Sequence, residues 1–380
     1  MGSINKILLI ENSTLDFYNA RIPLALFLKS KGWEVYALVP LSNEVPKIES
    51  LGINVITYNF ERKNKGINQL IKLYSIYSLT FKKYDFQIIH SFRFYPNLLN
   101  VIVNIFNKRK IITHITGLGI AFSNNSYYFK TIKYVSLIFY QIILFRSNKI
   151  IVQNDNDKTD LVFLGFCKNK IQVIYGSGVN TEVYNQKLFN KQQLRLKHNI
   201  NSNYKVFICV TRLIWEKGIK ELVESFQDFN LKNPNSSLLI VGWIDEDNPR
   251  HVSKDFIDNF NNKNNIFFLG KKDNIKELLA LSDVFVYPSY YREGIPRSIL
   301  EALSMGLPII TTNMPGCLLT VDEGKNGVIV QPRSSSELYK SFLCIENFDF
   351  DKMSISSRQK AINNFSEKII FEKIERIYIE

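Results

Sequence analysis

The chain has 380 residues, 46% of them hydrophobic and 22% charged, and carries a net charge of +13 at neutral pH. That apolar share excludes a disordered chain, and the length allows two or three domains with cores of their own. The four cysteines, Cys167, Cys209, Cys317 and Cys344, are widely spaced without a Cys-x-x-Cys pair, which excludes a disulfide scaffold and reads as free thiols in a reducing compartment.

In chain order, Lys6 to Ile10 reads as a first strand, Ile22 to Leu28 as a helix and Trp33 to Val39 as a second strand. No signal peptide precedes the first strand, so a cytoplasmic protein is expected. Strand-like runs follow at Gln87 to His90, Lys110 to Thr113, Lys149 to Val152 and Ile171 to Ile174, each after a helical stretch. The alternation continues through Val206 to Val210, Ser237 to Val241, Ile266 to Leu269, Val284 to Tyr287, Pro308 to Thr311 and Gly327 to Val330. Strands alternating with helices imply right-handed parallel crossovers, hence α/β, doubly wound domains. The sequence turns polar and charged between Tyr184 and Asn203. We therefore expect a first domain over residues 1–184, a second over 185–355 and a helical C-terminal segment over 356–380.

Charge is concentrated in one region. Between Arg62 and Ile150 there are 14 Lys or Arg against one acid, Asp85, a net of +13 that equals the charge of the whole chain. The same region holds Tyr127-Tyr128-Phe129-Lys130 and an apolar run from Tyr134 to Arg146. That run is shorter than the roughly 20 residues a spanning helix needs, so it reads as a buried or interfacial helix. Cations interleaved with aromatics fit an anionic membrane surface. A basic face on a core helix is the plainer reading, and no nucleic-acid recognition module accompanies the patch.

The most informative segment is Tyr287-Pro288-Ser289-Tyr290-Tyr291-Arg292-Glu293-Gly294-Ile295-Pro296-Arg297-Ser298-Ile299-Leu300-Glu301-Ala302. An apolar strand leads into a Gly-Ile-Pro turn and then a helix, with Glu293 and Glu301 on either side. In open α/β sheets ligands sit outside the carboxyl ends of strands, where free N–H groups at helix starts attract oxyanions and hydroxyls. Each glutamate also has a simpler explanation. Ser298-x-x-Glu301 satisfies a capping box, and Glu293 beside Arg292 could be a solvated loop charge. A second segment, Thr211-Arg212-Leu213-Ile214-Trp215-Glu216-Lys217-Gly218, follows the strand Val206 to Val210 and puts two cations at a helix start. Such a pair suits a diphosphate, since Arg binds bidentately and Lys supplies a point charge.

Together these segments resemble the retaining nucleotide-sugar glycosyltransferases of the GT-B architecture, glycosyltransferase family four. The signature is a Glu, seven residues and a Glu, joined to an Arg-Leu and Lys-Gly pair upstream. The resemblance implies two Rossmann-like domains facing a cleft, the first binding acceptor and the second the nucleotide sugar, with the C-terminal helix crossing back to the first. It implies that Glu293, with Gly294, Ile295, Pro296 and Arg297, holds the donor sugar, that Glu301 binds the ribose, and that Arg212 and Lys217 bind the diphosphate. Gly316, in Met314-Pro315-Gly316-Cys317, is read as a tight turn facing the donor.

The likeness is thinner in the first domain, where Glu11-Asn12-Ser13-Thr14 replaces the glycine loop of many relatives. Arg21-Ile22-Pro23-Leu24 and His114-Ile115-Thr116-Gly117-Leu118-Gly119-Ile120-Ala121-Phe122 are similar to a branch that extends undecaprenyl-diphosphate-linked glycans. Arg21, His114, Thr116 and Gly117 are accordingly candidates for contacting acceptor or phosphate, and a core histidine is an equal reading of His114. The implied reaction moves a hexose or N-acetylhexosamine from a nucleoside diphosphate sugar, UDP-linked, to a lipid-diphosphate-linked glycan at the inner face of the cytoplasmic membrane. No cofactor and no essential metal are expected: Asp155-Asn156-Asp157, Asp245-Glu246-Asp247 and Asp349-Phe350-Asp351 match an Asp-x-Asp pattern at a rate near chance. The alternatives are an epimerase or phosphorylase on the same frame, and a non-catalytic protein binding membrane or polyanion. An NAD-dependent oxidoreductase is disfavoured, because Gly117-Leu118-Gly119 lacks the third glycine of the dinucleotide fingerprint.

Overall fold

Ile- and Val-rich runs flanked by polar turns form strands buried on both faces, as parallel sheets require. The computed structural model describes residues 5–60, 67–106, 109–119, 127–163, 165 and 168–380, so Cys167, the cations Arg62, Lys63, Lys65 and Lys108, and the segment Ile120 to Phe122 lie outside the described residues. The chain divides into two units, residues 1–177 with 367–380, and residues 178–366. The first division falls after Ser177 and the second after Ser366, where the sequence reading divides after 184 and 355.

The first unit holds strands β1 (Lys6–Ile10), β2 (Glu34–Pro40), β3 (Asn54–Tyr58), β4 (Ile88–Phe92), β5 (Lys110–Ile115), β6 (Lys149–Val152) and β7 (Ile171–Val173). They form one parallel sheet in the order β3-β2-β1-β4-β5-β6-β7. One face is covered by the helices Thr14–Ala20, Ile22–Ser30 and Glu367–Ile379, whose Leu24, Leu28, Ile370, Phe371 and Ile374 join Ile7, Leu9 and Val35 in a single core. The C-terminal helix is thus an integral layer of the first unit, as the resemblance implies. The other face carries the helices Ile67–Lys83, Phe94–Val103 and Tyr127–Arg146.

The second unit holds β8 (Lys205–Val210), β9 (Ser236–Val241), β10 (Ile266–Gly270), β11 (Val284–Tyr287), β12 (Ile309–Thr312) and β13 (Gly327–Val330), again all parallel, in the order β10-β9-β8-β11-β12-β13. Its core joins Phe207, Phe226, Phe229 and Phe342 between the sheet and the helices Ile219–Lys232 and Ser335–Cys344. Each sheet reverses its winding once, between β1 and β4 in the first and between β8 and β11 in the second. These reversals are where doubly wound folds open a ligand crevice at the carboxyl edge.

Candidate active site

In the second unit the switch point gathers the expected donor residues. β8 ends at Val210 and leads through Arg212 into a 3-10 turn, Trp215–Lys217, before the helix Ile219–Lys232. β11 ends at Tyr287 and leads through Glu293 into the helix Arg297–Ser304. The two loops lock together at Gly218, whose φ of 72° lies in the left-handed region and whose missing side chain leaves room for the Pro288 carbonyl, 2.2 Å from where a Cβ would sit. Any other residue there would be strained and would push the loops apart.

The locked loops bring Lys217 and Glu293 into contact. Lys217 Nζ donates to Glu293 Oε1 at 2.5 Å and to the Tyr287 hydroxyl at 2.7 Å. Tyr287 donates in turn to Glu293 Oε1 at 2.9 Å, and Ser289 Oγ to the same oxygen at 3.3 Å. A buried ammonium is costly unless paired and hydrogen-bonded, and this lattice meets both conditions. Burial, then the Glu293 charge, pushes the Tyr287 phenol well above its ordinary range, so it stays a neutral donor. Arg212 pairs with Asp245 at 3.1 Å, and Arg250 pairs with the buried Glu216.

Glu301 is not a helix cap. The N-cap is Pro296, which has no side chain to cap with, and Glu301 Oε1 instead accepts from Arg297 Nε at 2.9 Å. The capping-box reading of Ser298 and Glu301 is overturned because Pro296 starts the helix two residues earlier. Gly294, Ile295 and Pro296, in the loop that leads to this helix, are buried. Gly316 lies inside the short helix Pro315–Leu318 rather than in a turn. It is glycine because a Cβ would stand 1.9 Å from the Gly294 carbonyl oxygen. The adjacent Cys317 thiol is pushed up to about 12 by burial and then by Glu293, so it offers no thiolate at neutral pH.

In the first unit Arg21, His114, Thr116 and Gly117 all lie at the carboxyl edge or just beneath it. Arg21 is buried against Glu11, and Thr116 and Gly117 follow β5 half-buried, Gly117 at a φ of 134°. His114 is enclosed. Its ring stacks on His90, centroids 5.5 Å apart with planes 5° from parallel, and its Nε2 meets the Gln153 amide at 3.2 Å. His90 Nδ1 meets the Tyr378 hydroxyl at 2.6 Å, tying the C-terminal helix to the sheet. Burial holds both imidazoles neutral, well below their ordinary range, helped by Arg21 at His90 and by His90 and then Arg21 at His114.

That neutrality has a measurable consequence. The unfolded chain binds protons on these rings near the ordinary value of 6.5, and the folded chain does not. Their contribution to stability is therefore full above that pH and is lost as the pH falls below it toward the folded-state values, at up to about 1.4 kcal/mol per pH unit for each ring. Glu11, pushed up by burial against the pull of Arg93 and Arg21, works in the opposite sense. Urea midpoints at several pH values between 7.5 and 5.5 should thus fall less steeply in His90→Gln than in the native chain; parallel slopes would refute the assignment.

Residues 190–363 match the family described as glycosyl transferases group 1. The second unit carries a group 1 glycosyl transferase domain. Over 379 residues, 97% of each chain, the protein is 25% identical to N,N'-diacetylbacillosaminyl-diphospho-undecaprenol alpha-1,3-N-acetylgalactosaminyltransferase of Campylobacter jejuni. It is 27% identical over 324 residues, 83% of this chain and 80% of the other, to UDP-Gal:alpha-D-GlcNAc-diphosphoundecaprenol alpha-1,3-galactosyltransferase of Escherichia coli. Among solved structures, HepE of Anabaena in complex with UDP and glucose superposes with a TM-score of 0.82 at 19% identity, covering 98% of this chain and 99% of that one. The two parallel sheets are those of the GT-B glycosyltransferases.

Within the transferase domain, sequence reasoning gave no role to Tyr287, Ser289 or Asp245. Tyr287 carries the one signal that could have exposed it, a phenol as the last residue of a buried strand immediately before Pro-Ser, where only a polar duty explains a hydroxyl. Asp245 lies in a polar loop after β9, and nothing local marks it as the partner of Arg212.

Proposed function

We propose that the chain transfers a hexosyl or N-acetylhexosaminyl group from a UDP-linked sugar to a lipid-diphosphate-linked glycan, with retention at the anomeric carbon. The observation that carries this reading is the Lys217–Tyr287–Glu293 lattice at the switch point of the transferase domain, with Arg212 and Glu301 on the same edge. The relatives' names, both alpha-1,3-transferases of diphospho-undecaprenol substrates, and UDP in the HepE structure support the substrate classes.

In the proposed reaction Glu293 and the amides that follow it hold the donor sugar, Glu301 holds the ribose, and Lys217 and Arg212 face the diphosphate. The bond from the anomeric carbon to the diphosphate oxygen breaks with its electron pair leaving on the diphosphate. An acceptor hydroxyl attacks the oxocarbenium-like carbon on the same face, and its proton passes to the departing diphosphate. The two cations offset the charge that gathers there, in place of a metal ion.

Attachment to a membrane is part of the proposal. Among the described residues no helix is long and apolar enough to cross a bilayer. The helix layer 67–146 instead exposes Leu79 and Tyr74, Tyr95 and Phe106, and the stripe Tyr134, Ile138, Ile142 and Phe145, with Phe106 96% and Phe145 84% exposed. Lys72, Lys82, Lys83, Arg109 and Arg146 lie in the same stretch. An apolar face with cations fits an anionic lipid surface, at about 1 kcal/mol per cation near the headgroups.

The test is thermal stabilisation and product analysis with UDP- and GDP-sugars in chelator, with lipid-diphosphate glycan in vesicles. We expect stabilisation by one UDP-sugar, its loss in Glu301→Ala, an α-linked product and co-sedimentation with anionic vesicles. A β-linked product from an α-linked donor would overturn retention, a strict metal requirement would overturn the role given to the two cations, and no response to any nucleotide sugar would overturn the whole reading.

A further inference from the structure

The phenol that ends β11 stands where neither packing nor strand formation asks for a hydroxyl. Tyr287 is 3% exposed, its ring lies 11° from parallel with that of Phe285, centroids 6.3 Å apart, and its carbonyl accepts from Thr311 Oγ1 of β12 at 2.7 Å. Phenylalanine would fill that place as well, and a buried hydroxyl costs free energy unless it is bonded. This one is bonded to two charged groups of opposite sign. It accepts from Lys217 Nζ at 2.7 Å and donates to Glu293 Oε1 at 2.9 Å, which a hydroxyl can do through a single atom.

The three polar atoms form a closed triangle, since Lys217 Nζ also meets Glu293 Oε1 at 2.5 Å. Lysine carries a point charge on a flexible four-carbon stem. With Glu293 alone, the ammonium would be held at one distance from one oxygen and would swing about it. The second contact comes from a ring fixed in a strand and takes that freedom away. It also decides what is left over. The hydroxyl, the ammonium and Ser289 Oγ all converge on Glu293 Oε1, and among the described residues no donor reaches Oε2. Two of the three N–H groups of the ammonium are taken, which leaves one. Burial, then the Glu293 charge, keeps the phenol neutral, so it fixes the pair without adding a charge of its own.

We propose that Tyr287 is a positioning residue of the transfer reaction: its hydroxyl holds Lys217 and Glu293 so that the third N–H of the ammonium serves the leaving diphosphate and Oε2 serves the donor sugar. The inference rests on the transfer reaction proposed above and adds a residue to it. Tyr287 is too deeply buried to touch either substrate, and it acts through its two partners. A hydroxyl that merely satisfied a buried lysine would matter to stability alone.

The experiment is a double-variant cycle in the full chain: native, Tyr287→Phe, Lys217→Met and the two together. Initial rates are read as UDP release from UDP-glucose, UDP-galactose, UDP-N-acetylglucosamine and UDP-N-acetylgalactosamine, with lipid-diphosphate glycan in vesicles or water as acceptor, and urea unfolding is followed beside them. Tyr287→Phe should lower kcat about tenfold, short of the hundredfold that follows a misplacement of about 1 Å, with donor KM changed by less than about threefold. In the Lys217→Met background the same change should cost less than about twofold, because the group it positions is gone. A native kcat with only the urea midpoint lowered would reduce the hydroxyl to satisfying a buried lysine. An equal loss in both backgrounds would show that Tyr287 does not act through Lys217, and a loss confined to KM would make it a donor-binding group. Each of these would overturn the proposal. Should Tyr287→Phe fail to fold, 4-aminophenylalanine in place of Tyr287 carries the test, since it donates to Glu293 but accepts poorly from Lys217 and should show the same fall in kcat. If the native chain releases UDP from none of the four donors, the transfer reading and this inference fall together; if the native chain is active and the cycle is additive, this inference falls alone.

Discussion

Replacing Lys217 with methionine is expected to slow sugar transfer by about 10²- to 10³-fold, the usual effect of removing one charge-stabilising donor from a transition state. The side chain is only 4% exposed, and its ammonium is held by Glu293 Oε1 and the Tyr287 hydroxyl. Water is therefore largely excluded from the place where, in the proposed reaction, the leaving diphosphate would gather negative charge, and a cation there acts more strongly than at the surface. Methionine keeps the length and most of the volume of lysine, so the loss should be electrostatic. It also leaves Glu293 with Tyr287 and Ser289 but without its cation, which could by itself disturb the loop. The double variant Lys217→Met/Glu293→Gln removes that orphaned charge. If the ammonium serves the transition state, the double variant regains thermal stability and remains slow. Rate measurements at saturating donor and acceptor should place the loss in kcat, with donor KM changed far less. A loss confined to KM, or a double variant that recovers the native rate, would refute the role.

What could be read from the sequence follows from how local each signal is. The strands came from continuous apolar runs, and β11 and β13 have the bounds that pattern predicts. β3 was missed. As an edge strand with Tyr58 buried and Asn54 and Thr57 exposed, it has no apolar run to announce it. The clustering of the proposed donor residues was legible because two short motifs keep strand, loop and helix in fixed order, so the spacing of Arg212, Lys217, Glu293 and Glu301 carries their neighbourhood with it. Their partners were not legible, since the Lys217 to Tyr287 bond depends on the crossover that makes β11 a neighbour of β8. In the first unit Glu11 meets Arg21 and Arg93 in a cluster that is harder still to read, since its residues belong to separate crossovers. Ser298 and Glu301 show the converse failure, in which a correct local pattern is overruled by a proline two positions upstream.

Asp283→Ala is expected to destabilise the transferase domain by about 3–5 kcal/mol, the range for stripping one partner from a buried ion pair. Asp283 precedes β11 and gathers three partners at the amino edge of the sheet. Its Oδ2 accepts from Arg195 Nη2 at 2.7 Å and from the Val206 N–H at 2.7 Å, and its Oδ1 from Lys191 Nζ at 2.6 Å. Arg195 is only 8% exposed, and its other bonds go to the carbonyls of Leu281 and Ser202, which accept but cannot neutralise. Alanine would thus leave a buried guanidinium with no carboxylate. It would also release the helix Lys191–Lys197 from the start of β8, the strand that delivers Arg212 and Lys217. Burial pushes the Asp283 carboxyl up, but Lys191, the Val206 N–H and Arg195 together hold it below its ordinary value of 3.8. A carboxylate depressed in this way stabilises the fold fully above the unfolded value and loses that contribution as the pH falls through the folded one. The native chain should therefore lose stability faster than Asp283→Ala on acidification through and below the ordinary value of 3.8. Asp283→Asn, which keeps the shape and an acceptor for Val206 but not the charge, should fall between the two. If urea unfolding showed Asp283→Asn as stable as the native chain, the charge on Arg195 would have found another partner, and hydrogen bonding alone would account for the site.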